Sequence, residues 1–505
     1  MVPEALRQRL DRHLGRQLER WRGLERARRQ TVRLVAVSAA AGLAVAGGSV
    51  VAAGPWDATG QRLAERDRAA SAASAAAAAG GRAGRAGVPD PGLRGRPASA
   101  APPVLPALGA LGGPAAPPRY AEDLARDLEP LLQDPSLGDR HSAAVYDAGT
   151  GQLLFGADQG TACTPASTIK LATAAAALAA LGPDHRIETT VVAGNDGIVL
   201  VGGGDPTLTS RPAKGDGPRS ASLAELADAT ARALKDRGTA RTKLSYDASR
   251  YSGPLLHAIG PNENIAPVSA LMVDEGRLDD TDRGPAPRTA EPAADAARAF
   301  ATMLRERGVQ VDGDAAEVRA DAHAQRLAAV SSAPLSALVE RALTNSDNDI
   351  AEALARQTAL ASGRPAGFEG AAKAVTDRLA ALGLPMPGTR LADGSGLDRA
   401  DQVSADFLAR LLLRAADPAH PELRPVLTGL PVAGFTGTLR DRYDEAAGRG
   451  VIRAKTGTLT GVNTLAGTAA TPDGRVLTFA FMAQNTTAPD QAQRTLDRLA
   501  SGLVD

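Results

Sequence analysis

The sequence predicts an α/β fold, an α+β sandwich around an antiparallel sheet, with inserted subdomains and with a transmembrane helix and a disordered linker ahead of it. Three observations carry this reading. Helix-period segments flank strand-period segments at both ends of the region 119–505, which is the pattern of helices packed on a sheet. Strand-like runs separated by turns lie together at Gly450–Asn485. An uncharged 21-residue stretch, Leu34–Gly54, precedes a long segment rich in Ala, Gly and Pro.

The elements follow in chain order. Residues 1–33 hold ten Arg against four acids, a basic segment in front of the apolar stretch. The stretch at 34–54 is long enough to span a bilayer, and the basic flank places its start in the cytoplasm and the remainder outside. It is expected to act as a signal anchor; a signal peptide cut near Val51-Ala52-Ala53 is the alternative. Residues 55–118 are poor in the large apolar side chains of a core and are expected to be a disordered tether. Tyr120–Leu132 has helical spacing of Leu, and His141–Phe155 is a hairpin turning at Gly149–Gly151. A helix starts near Pro165 and stops at Gly182-Pro183. Residues 186–331 mix short strands, helices and many Gly and Pro, and are expected to be one or two inserted subdomains. Leu335–Leu343 and Ile350–Ala361 are helices joined by a short polar loop. The run Gly450–Asn485 reads as three strands with a turn at Pro472-Asp473-Gly474, and Ala488–Val504 as an amphipathic helix.

Composition excludes several functions. Lys+Arg and Asp+Glu are both 57, so no excess of basic charge is available for nucleic acid. A single cysteine, Cys163, rules out an intramolecular disulfide and a Cys-based zinc site, and it reads as a small packed side chain rather than a redox switch. No H-E-x-x-H, G-x-S-x-G or phosphate-loop pattern is present, and Asp279-Asp280-Thr281-Asp282 reads as a solvated loop. No metal or cofactor is expected. Six lysines stand against 51 arginines, which makes each retained lysine informative.

Two of those lysines sit in short motifs. Ser167-Thr168-Ile169-Lys170, Ser346-Asp347-Asn348 and Lys455-Thr456-Gly457 follow in that order. The first alone recurs by chance, whereas the ordered trio does not. On a helix, Ser167 and Lys170 share a face. An amine takes the proton of a serine only when neutral, so the site must lower the pKa of Lys170 by burial or by a second cation, for which Lys455 is a candidate. Backbone N–H groups at the start of the helix can stabilise an oxyanion beside Ser167.

The trio is that of class A β-lactamases and penicillin-binding proteins. Over 120–505 the chain resembles the serine-type D-alanyl-D-alanine carboxypeptidases and endopeptidases, the low-molecular-mass class C penicillin-binding proteins. Gly202–Leu208, Ala266–Leu271 and Asp393–Leu397 add to the match, as does the long separation of Ser167 from Ser346. The resemblance implies a penicillin-binding/β-lactamase-like transpeptidase fold, split into 119–185 and 332–505 around the insert. It implies a carboxypeptidase, with endopeptidase action left open, that cleaves peptidoglycan stem peptides and is acylated by β-lactams. Ser167 would be the nucleophile and Lys170 its base, Ser346 a proton relay, Asn348 a ligand of the substrate backbone, and Lys455 a source of positive potential. Thr456, Gly457 and Thr458 would bind substrate, the two threonines at its carboxylate, with the Ser167 and Thr458 N–H groups as the oxyanion hole. A β-lactamase and a non-catalytic wall-binding scaffold are the alternatives. The insert and tether oppose the first, and the intact trio opposes the second.

Overall fold

The computed structural model describes residues 118–211, 220–444 and 446–504. The basic segment, the expected membrane helix and nearly all of the linker lie outside the described residues. Among the described residues, no helix is long and apolar enough to cross a membrane.

Two five-stranded sheets organise the fold. The first is antiparallel throughout. It takes β1 (Arg140–Asp147), β2 (Leu153–Ala157), β8 (Ile452–Leu459), β9 (Val462–Ala470) and β10 (Val476–Gln484), in the order β2-β1-β10-β9-β8. The first and last strands therefore pair at its centre, where Arg140 stands opposite Gln484 and Asp147 opposite Leu477. The second sheet comes wholly from 188–331. Its strands are β3 (Glu188–Ala193), β4 (Gly197–Val201), β5 (Arg241–Asp247), β6 (Gln310–Glu317) and β7 (Arg326–Ser331), ordered β6-β5-β4-β3-β7. Here β4, β5 and β6 run parallel, joined through α3 (Leu223–Asp236) and α4 (Pro292–Glu306), as parallel pairing requires crossovers.

The alternation of side chains across the first sheet divides the core in two. Ala144, Tyr146, Ala480 and Met482 face one layer of helices. These are α2 (Lys170–Leu181), α5 (Leu335–Asn345), α6 (Asn348–Ala361), α7 (Phe368–Ala381) and α8 (Ala405–Ala416). Their neighbours Ala143, Val145, Phe479 and Phe481 face the other way. That face is covered by α1 (Pro118–Leu132) through Leu124 and Leu128, and by the C-terminal helix α9 (Pro489–Ser501) through Leu496 and Leu499. Each buried Phe on this face contributes about 1.5–3 kcal/mol by leaving water. A third core joins Leu200, Leu244, Leu226 and Phe300 between the second sheet and its helices.

One element departs from the sequence reading. The helix expected from Pro165 begins as a 3₁₀ turn, Ala166–Ile169, and becomes α-helical only at Lys170. Once started, α2 is buried continuously from Lys170 to Leu178. Its run of alanines lets neighbouring helices pack close on every side, as a helix apolar all round demands.

Candidate active site

The 3₁₀ turn places the first motif. In this geometry residues i and i+3 eclipse, so Ser167 and Lys170 still meet, with Lys170 Nζ 2.9 Å from Ser167 Oγ. Ala166, just before the serine, has φ of +48°, a conformation uncommon outside glycine. Lys170 is 1% exposed. Its ammonium has three donors, and three acceptors receive them: Ser167 Oγ, Asn348 Oδ1 at 2.7 Å and the Ser395 carbonyl at 2.5 Å. Burial brings its pKa down to about 8, against the pull of Asp393, Asp347, Glu352 and Asp401. Of the two routes the sequence offered, burial dominates.

The second motif bridges two helices. Ser346 ends α5 in the left-handed region with φ of +58°, and the Asp347 side chain caps α6 by accepting from Ile350 N. This turn aims Ser346 and Asn348 at the two lysines. Asn348 gives its oxygen to Lys170, while its Nδ2 donates to the Asn264 carbonyl at 2.9 Å.

The third motif lies on β8, the edge of the first sheet. Lys455 is fully buried, donating to Ser346 Oγ at 2.8 Å and to the Thr456 carbonyl at 2.7 Å. Burial, then the charge of Lys170, holds its pKa well below the ordinary lysine value. Thr456 is half-buried and Thr458 exposed. The outer edge of β8 is covered only in part, where Ala454 N donates to the Pro431 carbonyl. With a strand period of two, the N–H groups of Thr456 and Thr458 point to that same edge. Gly457 is required by contact. A Cβ there would stand 2.2 Å from Thr464 Oγ1, 2.6 Å from the Pro165 carbonyl and 3.1 Å from Ser167 N. A bare backbone therefore lets β8 close on the serine turn.

The structure thus brings Ser167, Lys170 and Asn348 into one hydrogen-bonded set and Ser346 and Lys455 into a second, close enough for the charges of the two lysines to interact, with Thr456–Thr458 along the rim. It also supplies groups that sequence reasoning missed. Ser395 acts through its carbonyl, and Asn264 reaches in from the segment between the strands of the second sheet. Thr438 Oγ1 lies 2.9 Å from Thr456 Oγ1. The D-G-S-G-L run at Asp393–Leu397 was the one signal for Ser395, and it carried no role.

Two buried clusters hold enough acidic and histidine ligands to attract a metal: His257, Glu352 and Asp393, and Glu275, Asp347 and Asp349. Their ligand atoms are already engaged. His257 bonds Asp393, Arg356 pairs with Glu352, Arg288 with Asp349, and Arg277 and Arg341 with Glu275. Asp347 caps α6. Cys163 is buried, its main chain bridged to Val403 and its thiol pKa raised by burial, which makes it a poor nucleophile.

Most of this region is similar to known proteins. The profile of the D-Ala-D-Ala carboxypeptidase 3 (S13) family matches residues 124–282 and 279–503. A carboxypeptidase of Mycobacterium tuberculosis is 38% identical over 390 residues, 74% of this chain and 82% of the relative. A D-alanyl-D-alanine carboxypeptidase of Actinomadura sp. is 32% identical over 434 residues, 70% of this chain and 80% of the relative. Among solved structures, penicillin binding protein 4 (dacB) of Haemophilus influenzae aligns with a TM-score of 0.61 at 22% identity, covering 76% of this chain and 98% of that one. That last likeness concerns the fold.

Proposed function

From the premise that this chain belongs to the D-Ala-D-Ala carboxypeptidase 3 (S13) family, we propose how its residues divide the work of a serine D-Ala-D-Ala carboxypeptidase acting on peptidoglycan. Ser167 Oγ attacks the carbonyl of the penultimate D-Ala. Neutral Lys170 accepts the hydroxyl proton as the C–O bond forms, and the carbonyl oxygen takes the negative charge. The Ser167 and Thr458 N–H groups stabilise that oxyanion. As the C–N bond breaks, Ser346 passes its proton to the departing D-Ala amine and recovers one from protonated Lys170, which becomes neutral again, while Lys455 screens Ser346 across their 2.8 Å contact. Water then attacks the acyl-enzyme as neutral Lys170 takes its proton, and that proton returns to Ser167 Oγ as the acyl C–O bond breaks. Covalent catalysis divides one hard acyl transfer into two easier steps.

The observation that carries this reading is the unbroken contact from Ser167 to a buried lysine poised near neutrality. Thr456 and Thr458, beside Lys455, suit the terminal carboxylate. Asn348 orients Lys170 through its oxygen, and its Nδ2 is the group that can turn from Asn264 to a substrate carbonyl. A β-lactam would acylate Ser167 by the same attack, its ring opening in place of the peptide bond. The basic segment 1–33 and the apolar stretch 34–54 support tethering to the membrane with the catalytic region outside.

The test is D-Ala release from a synthetic stem pentapeptide ending in D-Ala-D-Ala. Wild type should release one D-Ala per peptide and Ser167→Ala none. Undiminished release by the variant would refute the assignment.

A further inference from the structure

His257 lies outside the three motifs, in the segment between β5 and α4, yet it reaches the catalytic half of the fold. It is 3% exposed, and its Nε2 lies 2.8 Å from Asp393 Oδ2. Its Nδ1 accepts from Ile259 N at 3.3 Å, so in the neutral ring the hydrogen sits on Nε2 and is given to Asp393. The ring packs edge-on against Phe368 at 5.3 Å, and Phe368 in turn carries the Arg356 guanidinium at 4.2 Å.

Asp393 is the hub of the turn 393–396. Its Oδ1 accepts from Ser395 N at 3.0 Å and Gly396 N at 2.6 Å; its Oδ2 accepts from Ser395 Oγ and Asp398 N. Glu352, paired with Arg356, accepts from Gly394 N at 2.9 Å. The turn's carbonyls then dock on the helix of the base. Gly394 O receives Thr173 Oγ1 at 2.8 Å, and Ser395 O receives Lys170 Nζ. Three steps thus join His257 to the Lys170 amine.

The geometry points to His257 as a positioning residue for Lys170: its Nε2–H locks Asp393, which shapes the turn whose Ser395 carbonyl aims and seals the lysine. This rests on the reading of Lys170 as base. The charged groups facing His257 are Asp393 and Asp398 on the turn and its flank, Glu352 on α6 and, beyond Phe368, Arg356. Burial is the leading cause of the lowered Lys170 pKa. A loosened turn admits water, so that pKa rises toward the ordinary lysine value.

The experiment measures Ser167 acylation by benzylpenicillin against pH for wild type, His257→Met and His257→Gln, with melting temperatures alongside. Met keeps volume without a donor, and Gln returns an N–H to Asp393. The Met variant should acylate roughly ten- to a hundredfold more slowly at pH 7, with its acid limb displaced upward by about one pH unit. Gln should restore both. A folded Met variant with the wild-type limb overturns the inference, as does a loss equal at every pH that Gln fails to rescue. If the Met variant does not fold, Gln decides: a wild-type limb supports the role, and a displaced one refutes it. Wild type unlabelled at Ser167 would instead overturn the assignment of base and nucleophile, and this inference with it.

Discussion

Lys170 and Lys455 are both sealed from solvent, but the protein surrounds them differently. Lys170 stands on a turn and helix among four carboxylates, with three hydrogen-bond acceptors for its amine. Lys455 stands on an edge strand with a hydroxyl and a carbonyl, and its main electrostatic neighbour is the other lysine. On the helix side, carboxylates offset part of the burial cost, so the pKa of the amine comes down only to about 8. On the strand side the charge of Lys170 adds to the burial cost, and the pKa is held well below the ordinary lysine value. In the proposed mechanism the first lysine exchanges a proton and the second meets an anion.

Arginine breaks this comparison most sharply at position 170. A guanidinium effectively never loses its proton, so Lys170→Arg should slow β-lactam acylation by roughly a hundred- to ten-thousandfold, the range of a general base. Stopped-flow acylation rates check this, and a rate near wild type would remove Lys170 from the role. The same rates against pH sharpen the point. The base works when neutral, and its pKa is about 8. Acylation should therefore rise through that pH and fall by about tenfold per unit well below it.

The effect at 455 should be smaller. Charge survives in Lys455→Arg, while the compact ammonium is lost, so acylation should fall by about tenfold, equivalent to ~1.4 kcal/mol. The loss should show mainly in KM for peptides bearing a free carboxylate, measured against a carboxyl-amidated peptide. Equal losses on both peptides would contradict the anion-meeting role. The smallest effect belongs to the rim. Thr438→Val removes one hydroxyl partner of Thr456 and should raise KM roughly three- to tenfold, the worth of one ordinary hydrogen bond, with kcat little changed.

These residues differ in how far the sequence disclosed them. Ser167, Lys170, Ser346, Asn348 and Lys455 fall in three compact motifs, because a local turn or strand must present each set together. The antiparallel hairpins were legible from alternation and from turn residues such as Pro472-Asp473-Gly474, where Gly474 adopts φ of +86°. The 3₁₀ turn at Ala166–Ile169 was not legible, since the same residues suit an α-helix and tertiary contact with β8 decides between them. Ser395 contributes a main-chain carbonyl, which leaves no side-chain signature. His257 and Asn264 arrive singly from the segment between β5 and α4, and Thr438 from a 3₁₀ turn 18 residues before Thr456, and no spacing rule links them to the groups they touch.

The proposed mechanism requires that Ser167 form a covalent acyl-enzyme. Mass spectrometry of the protein after incubation with benzylpenicillin tests it most directly. One penicilloyl adduct is expected, mapped to a peptide containing Ser167 and absent from Ser167→Ala. An adduct on a peptide lacking Ser167, or one that persists in the variant, would contradict it.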